Sequence, residues 1–168
     1  MSRKDQILKS ALILFNKKSI RPVTTNHIST EAGISPGNLY YHFRNKEEII
    51  LELFQLMIKE EERACESIII EDFTSLENYF KHYISVYYEF RSLKKEILYI
   101  KYLSPELEEI SKVYFENMVK DLRIMVSEFS LHGILRELSE SETERLVDHI
   151  SLLALFWLPY CEMNEGNS

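Results

Sequence analysis

The sequence predicts an all-α fold, and its composition and its patterning both lead to that prediction. The 168 residues include only four Gly and four Pro, and three of the Pro stand at expected helix boundaries or turns, so long segments contain no helix breaker. Apolar residues recur at helical spacing within those segments, and no alternation of apolar and polar residues marks a strand. The length suits one compact domain, or two small units that share a core.

The first helix is predicted over about residues 3–18. Ser2 with Asp5 three residues later resembles a capping box, which marks a helix start. The apolar residues that then recur at helical spacing are Ile7, Leu8, Ala11, Leu12 and Phe15. A second, short helix over residues 26–32 follows a possible cap at Thr24 or Thr25, and Gly33 ends it because glycine accepts the left-handed conformation.

A third helix is predicted to begin at Ser35 and Pro36, since serine caps helices and proline fits the first helical position. It runs to about Phe43, with Leu39 and Phe43 on one face as packing residues. A capping box at Asn45 opens a long fourth helix, which we expect to connect this N-terminal unit to the rest of the chain.

The remaining residues predict several long helices. We expect them over residues 75–90, 93–103 and 105–131, followed by a turn at Gly133. A last helix restarts at Ser139 and is expected to end at Pro159. The predicted architecture is therefore a three-helix N-terminal head (residues 1–46), a long connector helix and a helical body (residues 47–168).

Charge is distributed unevenly between these two parts. The whole chain carries a net charge of -7, yet residues 1–46 contain eight Lys or Arg and two acids, a net +6, and the remainder carries -13. A basic head on an acidic body is typical of a nucleic-acid-binding unit attached to a second module. Chance clustering of surface charge is the alternative interpretation.

The sequence lacks the motifs that mark several classes of function. GxSxG, HExxH and a phosphate-binding glycine-rich loop are absent, so we expect neither an enzyme nor a cofactor. Cys65 and Cys161 fit no metal-binding or redox spacing, so no metal is expected. The N-terminus lacks the apolar segment of a signal peptide, and the longest apolar run, residues 150–160, is shorter than the roughly 20 residues of a membrane span. We expect a cytoplasmic protein that makes no membrane contact.

The second and third helices, separated by a glycine turn, have the proportions of a helix-turn-helix, whose second helix enters the major groove of DNA. The residues on the expected outer side are nearly all hydrogen-bond donors of modest size, and groups of this kind can contact both base edges and phosphates. They are Thr25, His27, Ser35, Gly37, Asn38, Tyr40, Tyr41, His42 and Lys46.

Residues 24–43, TTNHISTEAGISPGNLYYHF, followed by NKEE at 45–48, closely resemble the signature of the TetR family of bacterial transcriptional regulators. The resemblance covers about residues 3–55. It implies a DNA-binding head and a body that binds an effector and forms a dimer. The expected function is a ligand-responsive repressor that binds a palindromic, double-stranded operator as a homodimer, with an unknown small-molecule effector.

The resemblance also implies individual DNA contacts. Gly37 and Asn38 are expected against base edges, with Ser35 and Tyr40 near the groove; an Asn amide can pair bidentately with adenine. The expected phosphate contacts are Thr25, Tyr41, His42 and Lys46. Alternative roles remain for three of these residues: Gly37 as a merely tolerated glycine, His42 as a surface residue and Tyr40 as a partly buried one.

In the body, aromatic residues suggest the walls of a ligand pocket, with plain core packing as the alternative. They are Phe80, Tyr83, Tyr87, Tyr99, Tyr102, Tyr114 and Phe115. The last helix suggests a dimer interface through Val147, Ile150, Leu153, Ala154 and Trp157. Family members usually continue with a further helix, so a second hypothesis is a shortened interaction protein that pairs with a longer paralogue and lacks independent operator binding.

Overall fold

A computed structural model describes residues 2–66 and 73–165, and within these ranges every regular element is a helix. The helices are α1 (Arg3–Lys18), α2 (Thr25–Glu31), α3 (Pro36–His42), α4 (Lys46–Glu66), α5 (Phe73–Glu89), α6 (Arg91–Lys95), α7 (Ile97–Ile100), α8 (Pro105–Leu131) and α9 (Glu140–Glu165). The predicted all-α fold is confirmed.

Local capping signals account for the ends of the first helices. The Ser2 hydroxyl accepts a hydrogen bond from the Asp5 N–H at 3.1 Å, and the Asp5 carboxylate accepts one from the Ser2 N–H at 2.8 Å. This capping box satisfies two backbone donors at the start of α1. Ser35 caps α3 in the same way, by accepting from the Asn38 N–H at 3.2 Å.

Helix α4 carries the hydrophobic core from the head into the body. Its side chains at 49, 50, 53, 54 and 57 are all nearly or fully buried, and this spacing places them on one face of the helix. Burial of each such side chain contributes roughly 1.5–3 kcal/mol. A single apolar cluster consequently extends from Ile7 in α1 through Phe54 in α4 to Tyr114 in α8.

The two longest body helices, α8 and α9, pack against each other. Their connection begins at Gly133, which has a φ of 69° and donates its N–H to the Ser130 carbonyl at 3.2 Å. Arg123 of α8 forms two hydrogen bonds of 2.7 Å with the Glu144 carboxylate of α9. The turn and this ion pair fix the antiparallel arrangement of the two helices.

Two predicted boundaries in the body are wrong. The single segment expected over 93–103 is divided into α6 and α7 at Glu96, whose backbone has φ -103° and ψ 17° and whose carboxylate accepts from the Ile20 N–H at 2.7 Å. Helix α9 continues past Pro159 to Glu165. Proline removes one helical hydrogen bond. Pro159 is half-buried and lines a small cavity with Lys94 and Leu98, and a tertiary environment of this kind can override a local helix breaker.

Within residues 2–66 and 73–165, no helix is long and apolar enough to cross a membrane. The same residues contain no group of three or more His, Cys, Asp or Glu side chains that could hold a metal ion. Cys161 is a half-buried free thiol. The side chain of Cys65 lies outside the described residues.

Candidate functional site

The turn between α2 and α3 is built around Gly33. Its φ of 64° is the left-handed conformation expected from the sequence. The Gly33 N–H donates to the Thr30 carbonyl at 3.1 Å, and the Ile34 N–H donates to the Ser29 carbonyl at 2.9 Å. This pair of hydrogen bonds is a Schellman motif, which satisfies the last carbonyls of α2 and turns the chain directly into α3.

Buried side chains hold the two helices in place. Ile28 of α2 and Leu39 of α3 are fully buried, and Ala32 and Phe43 are nearly so. Leu39 and Phe43 were the predicted packing residues of α3, and that prediction is confirmed. Because these inner faces belong to one buried cluster with residues of α1 and α4, the outer face of α3 has a fixed position on the head.

The exposed N-terminal turn of α3 contains Ser35, Gly37 and Asn38. The Ser35 hydroxyl oxygen accepts the Asn38 N–H, which leaves its own proton available to a ligand. Among the described residues, the Asn38 side-chain amide has no hydrogen-bond partner. A Cβ added at Gly37 would meet no atom within 4 Å, so no internal contact of the protomer requires glycine here.

The remaining polar residues of this surface lie on both helices. The Tyr40 hydroxyl of α3 and the Thr25 hydroxyl of α2 are 3.0 Å apart, and this hydrogen bond joins the helices on the solvent side. Tyr41 is 85% exposed, and its ring meets the His42 ring edge to face at 5.1 Å between centroids. Tyr40 is 50% exposed, so one part of its side chain is buried and the other is open to solvent.

Lys46, at the start of α4, is engaged within the head. Its ammonium donates to the carbonyls of Ile20 at 3.1 Å, Arg21 at 3.4 Å and Val23 at 3.0 Å. The three N–H donors of an ammonium group match these three acceptors. In the free chain Lys46 therefore fixes the loop between α1 and α2, and a phosphate would have to share or replace these bonds.

Two further polar residues, Arg44 and His27, lie near this surface outside the set of predicted DNA contacts. The Arg44 side chain is 90% exposed between α3 and α4, with its guanidinium 3.3 Å from the Glu48 carboxylate. Its charge and its position between His42 and Lys46 were a signal available in the sequence. The Nδ1 atom of His27 accepts the Thr24 N–H at 3.2 Å, and His27 therefore belongs to the cap of α2.

In the body, three of the seven predicted pocket residues surround one buried cation. The Lys94 ammonium lies 4.6 Å from the ring centre of Tyr114, 5.7 Å from that of Tyr87 and 5.9 Å from that of Tyr83. It also pairs with the Glu61 carboxylate at 2.5 Å and donates to the Tyr114 hydroxyl. Attraction between a cation and aromatic rings strengthens such an arrangement when water is excluded.

Burial dominates the electrostatics of this cluster. Lys94 is only 5% exposed, and its burial lowers the pKa of the ammonium, an effect that Glu61 opposes. Burial also raises the pKa of the Tyr114 hydroxyl well above its usual value, and the Glu61 carboxylate adds to that increase. The sequence did not predict Glu61 or Lys94, since most charged residues are exposed.

The other four predicted pocket residues do not join this cluster. Tyr102 is 74% exposed, and Phe80 and Phe115 are each 42% exposed. Tyr99 lies at the boundary with the head, where the Arg21 guanidinium stacks 4.4 Å from its ring centre. The seven aromatic residues consequently do not enclose a single cavity in this structure.

The predicted dimer residues occupy different environments on α9. Val147 is fully buried within the protomer and offers no surface to a partner, so its assignment to the interface is wrong. Ile150 and Ala154 are half-buried, and the Ala154 carbonyl accepts from the Tyr87 hydroxyl at 3.1 Å. Leu153 and Trp157 are more than half exposed. They lie on a wider exposed apolar face with Leu152, Phe156, Tyr160 and Met163.

The head contacts the body through α1 and the segment from Glu89 to Glu96. The Asn16 side chain donates to the Glu89 carbonyl at 2.7 Å and accepts from the Ser92 N–H at 3.1 Å. The Ile20 N–H donates to Glu96, whose carboxylate also lies 3.7 Å from the Arg21 guanidinium. Polar contacts across 73 to 76 residues of sequence thus join the two parts.

Comparison with known proteins places this architecture in a described family. The family model described as "Bacterial regulatory proteins, tetR family" matches residues 7–53. A second model, described as "Bacterial transcriptional repressor", matches residues 47–168. The two matches together extend over the helix-turn-helix and the body.

Individual relatives agree with this placement. The transcriptional regulator QacR of Staphylococcus aureus is 30% identical over 116 residues, which are 58% of this chain and 62% of QacR. A TetR-family regulator from Marinobacter aquaeolei has a crystal structure similar over 97% of this chain and 81% of its own, with a TM-score of 0.90 and 28% identity. The structure of AibR in complex with isovaleryl coenzyme A and operator DNA matches over 92% of this chain and 85% of AibR, with a TM-score of 0.69 and 18% identity.

The chain spans less than two thirds of the length of the curated relatives it matches, 26% of one and 62% of another. The proteins of this family are DNA-binding transcription factors and not enzymes. With a helix-turn-helix head, a helical body and family models that match both, this chain belongs to the TetR family of bacterial transcriptional regulators.

Proposed function

We propose that this regulator is a ligand-responsive repressor that binds a palindromic operator as a homodimer. The observation that carries the proposal is the exposed first turn of α3, where Ser35, Gly37 and Asn38 stand on a helix fixed by its buried inner face. A recognition helix reads base edges in the major groove with residues near its N-terminus. The net +6 charge of residues 1–46 supplies attraction to phosphates.

The proposed base contacts are Ser35, Gly37, Asn38 and Tyr40. The proposed phosphate contacts are Thr25, Tyr41, His42 and Lys46. Thr25 and Tyr40 already share a hydrogen bond, so a phosphate oxygen bound there would meet two hydroxyl groups at once. Lys46 would keep its carbonyl contacts partly or exchange one of them for a phosphate. Phosphate contacts set the register of a protein on DNA, and base contacts set its sequence preference.

The exposed apolar face of α9 supports a homodimer. Leu153 and Trp157 lie one helical turn apart, and both are more than half exposed. A contiguous apolar face of this kind is typical of an interaction surface. A two-fold axis through such a face pairs identical surfaces. It therefore predicts an operator with two half-sites roughly 34–36 Å apart, or a multiple of that distance.

The body is the proposed site of the effector. The cavity beside Lys94 has a volume of about 40 Å³ and is walled by Ile97, Leu155 and Pro159. That space suits about one water-sized group, so a larger effector requires the body helices to separate. AibR combines an acyl coenzyme A with operator DNA in one complex, which supports an effector-binding body on this fold.

The test is binding of the purified chain to DNA from upstream of its own gene, with scrambled competitor DNA, across a series of salt concentrations. Saturable, sequence-selective binding with a steep salt dependence is expected, because several phosphates are neutralised. Size-exclusion chromatography with light scattering is expected to show a dimer. A strict monomer with weak binding to any DNA would contradict the proposal and favour the alternative, an interaction protein that pairs with a paralogue and lacks independent operator binding.

A further inference from the structure

A cavity of about 190 Å³ lies where the end of α1 meets α6. The head contributes Lys17 and Ser19 to its wall, and the body contributes Arg91, Ser92 and Lys95. Glu96 completes the polar part of the lining. The cavity is distinct from the proposed DNA-binding surface on α3 and from the aromatic cluster around Lys94.

The charge of this cavity is opposite to that of the body around it. Residues 47–168 carry a net -13, but the cavity wall has three cationic side chains and one carboxylate. That carboxylate, Glu96, already accepts the Ile20 N–H at 2.7 Å and faces Arg21 at 3.7 Å. Its negative charge is therefore partly compensated outside the cavity. The wall itself carries three formal positive charges and one negative charge, an excess that attracts anions.

Arg91 is held in position beside the cavity. Its guanidinium donates to the Tyr88 carbonyl at 2.9 Å and stacks 4.7 Å from the centre of the Tyr88 ring. A guanidinium has five N–H donors in a fixed plane. Several of them remain for an acceptor, and the bond to Tyr88 limits the conformational freedom that binding would remove.

Ser92 supplies an independent indication of a ligand. It is only 4% exposed, and its backbone N–H donates to Asn16. Among the described residues, its buried Oγ has no hydrogen-bond partner. A buried hydroxyl without a partner destabilises the fold, and buried polar groups are almost always satisfied. Ser92 lines the cavity, and a change of its χ1 rotamer would turn this hydroxyl toward an oxygen atom bound there.

We propose that this junction cavity binds a small oxyanion, either a phosphate or a carboxylate, through Lys17, Arg91, Ser92 and Lys95. Cationic side chains with a neutral hydroxyl donor are the groups that recognise such oxyanions. The volume is below the roughly 300 Å³ at which pockets for drug-sized molecules begin. The ligand class is therefore a compact anion rather than a hydrophobic effector.

Occupancy of this cavity would also tie the head to the body, because the ligand contacts α1 and α6 together. If the bound anion favours one position of the head, operator affinity changes with anion concentration, and operator DNA changes anion affinity by the same factor. This second step depends on the proposed repressor function. The binding site itself does not.

The test is isothermal titration calorimetry of the full chain with sodium phosphate and, separately, sodium succinate, at constant ionic strength in chloride. Saturable binding of at least one anion is expected, and the anion that binds identifies the class. The double variant Lys17→Gln with Lys95→Gln is expected to weaken binding at least tenfold, and Ser92→Ala severalfold. Lys120→Gln, an exposed lysine on α8, is the matched control and is expected to bind as the wild type does.

Circular dichroism and thermal unfolding establish that each variant is folded before titration. The proposal is overturned if titration with phosphate and titration with succinate both give no more heat than titration with chloride. It is also overturned if the folded double variant binds the anion with unchanged affinity. Operator binding is measured on the same samples with and without the anion. A chain that binds operator but no anion overturns the anion site alone, and a chain that binds the anion without operator contradicts only the repressor proposal.

Discussion

The substitution Gly37→Ala separates the stability of α3 from its proposed contact with DNA. Gly37 occupies the first turn of α3, and a Cβ placed there meets no atom within 4 Å. Alanine restricts the unfolded chain and suits a helix, so the free energy of unfolding should rise by about 0.5–1 kcal/mol. For a chain of this size, that gain corresponds to an increase of about 2 °C in the unfolding midpoint.

Operator affinity should change in the opposite direction. If the backbone at Gly37 lies against a base edge, the added methyl group holds α3 away from the groove. We expect at least tenfold weaker operator binding, which is about 1.4 kcal/mol. Binding to scrambled DNA should be unchanged, because it rests on phosphate contacts that alanine leaves intact. Fluorescence anisotropy with labelled operator and scrambled duplexes measures both affinities.

Gly33→Ala is the matched comparison for stability. A Cβ added at Gly33 also meets no atom within 4 Å, but the φ of 64° at this position imposes a backbone strain of about 1–2 kcal/mol on alanine. The unfolding midpoint of Gly33→Ala should therefore fall, whereas that of Gly37→Ala should rise. A folded, dimeric Gly37→Ala protein with wild-type operator affinity would refute the proposed approach of the α3 backbone to the bases.

Four further predictions follow from other contacts. Lys46→Ala removes the donor to three carbonyls and should lower the free energy of unfolding by about 1–3 kcal/mol. It should also reduce the slope of log affinity against log salt concentration for DNA binding by about one. An unchanged slope would mean that Lys46 has only the structural role. Glu61→Ala leaves the Lys94 ammonium buried without its carboxylate partner and should lower the free energy of unfolding, measured with denaturant, by about 3–5 kcal/mol. The double variant Glu61→Leu with Lys94→Met should lose much less stability, and equal losses would contradict the pairing. Hydrogen bonds from Arg136 and Ser139 lower the pKa of Glu142 from its ordinary value of 4.5 to about 2. The stabilising contribution of the Glu142 carboxylate is therefore fully present above pH 4.5 and is lost as the pH falls toward 2. Glu142→Gln should flatten the decrease in unfolding midpoint between pH 6 and pH 3, and Glu140→Gln is the control. The double variant Leu153→Glu with Trp157→Glu should give a folded monomer by light scattering, whereas Val147→Ala should stay dimeric but lose about 2 kcal/mol of stability.

The sequence predicted the parts of the fold that depend on local signals. The bounds of α1 and α8 agree with the prediction, because Ser2 and Ser104 with Pro105 act within a single helical turn. The left-handed conformation of Gly33 follows from the chemistry of glycine alone. The inward positions of Leu39 and Phe43 follow from helical periodicity.

The environments that were not predicted depend on residues distant in sequence. Lys46 binds carbonyls 23 to 26 residues earlier in the chain, and its own sequence neighbourhood contains no sign of them. The burial of Lys94 requires Glu61 from α4 and Tyr114 from α8. The exposure of Tyr102 likewise depends on which helices cover it, since an aromatic residue at helical spacing suits either a core or a surface.

The contacts made by α6 show how a change in the body could reach the DNA-binding surface. Lys94 of α6 is bound to Glu61 of α4, and its near neighbours Ser92 and Glu96 hold the Asn16 side chain and the Ile20 N–H. A ligand that displaces α6 must therefore move α1, break these hydrogen bonds, or release the buried ion pair. Each of these outcomes changes how α6 joins α1 and α4, two helices that share the buried core of the head with α2 and α3. A ligand alters operator affinity only to the extent that it binds these arrangements with different free energies, so the contacts of α6 are where that difference should be measured.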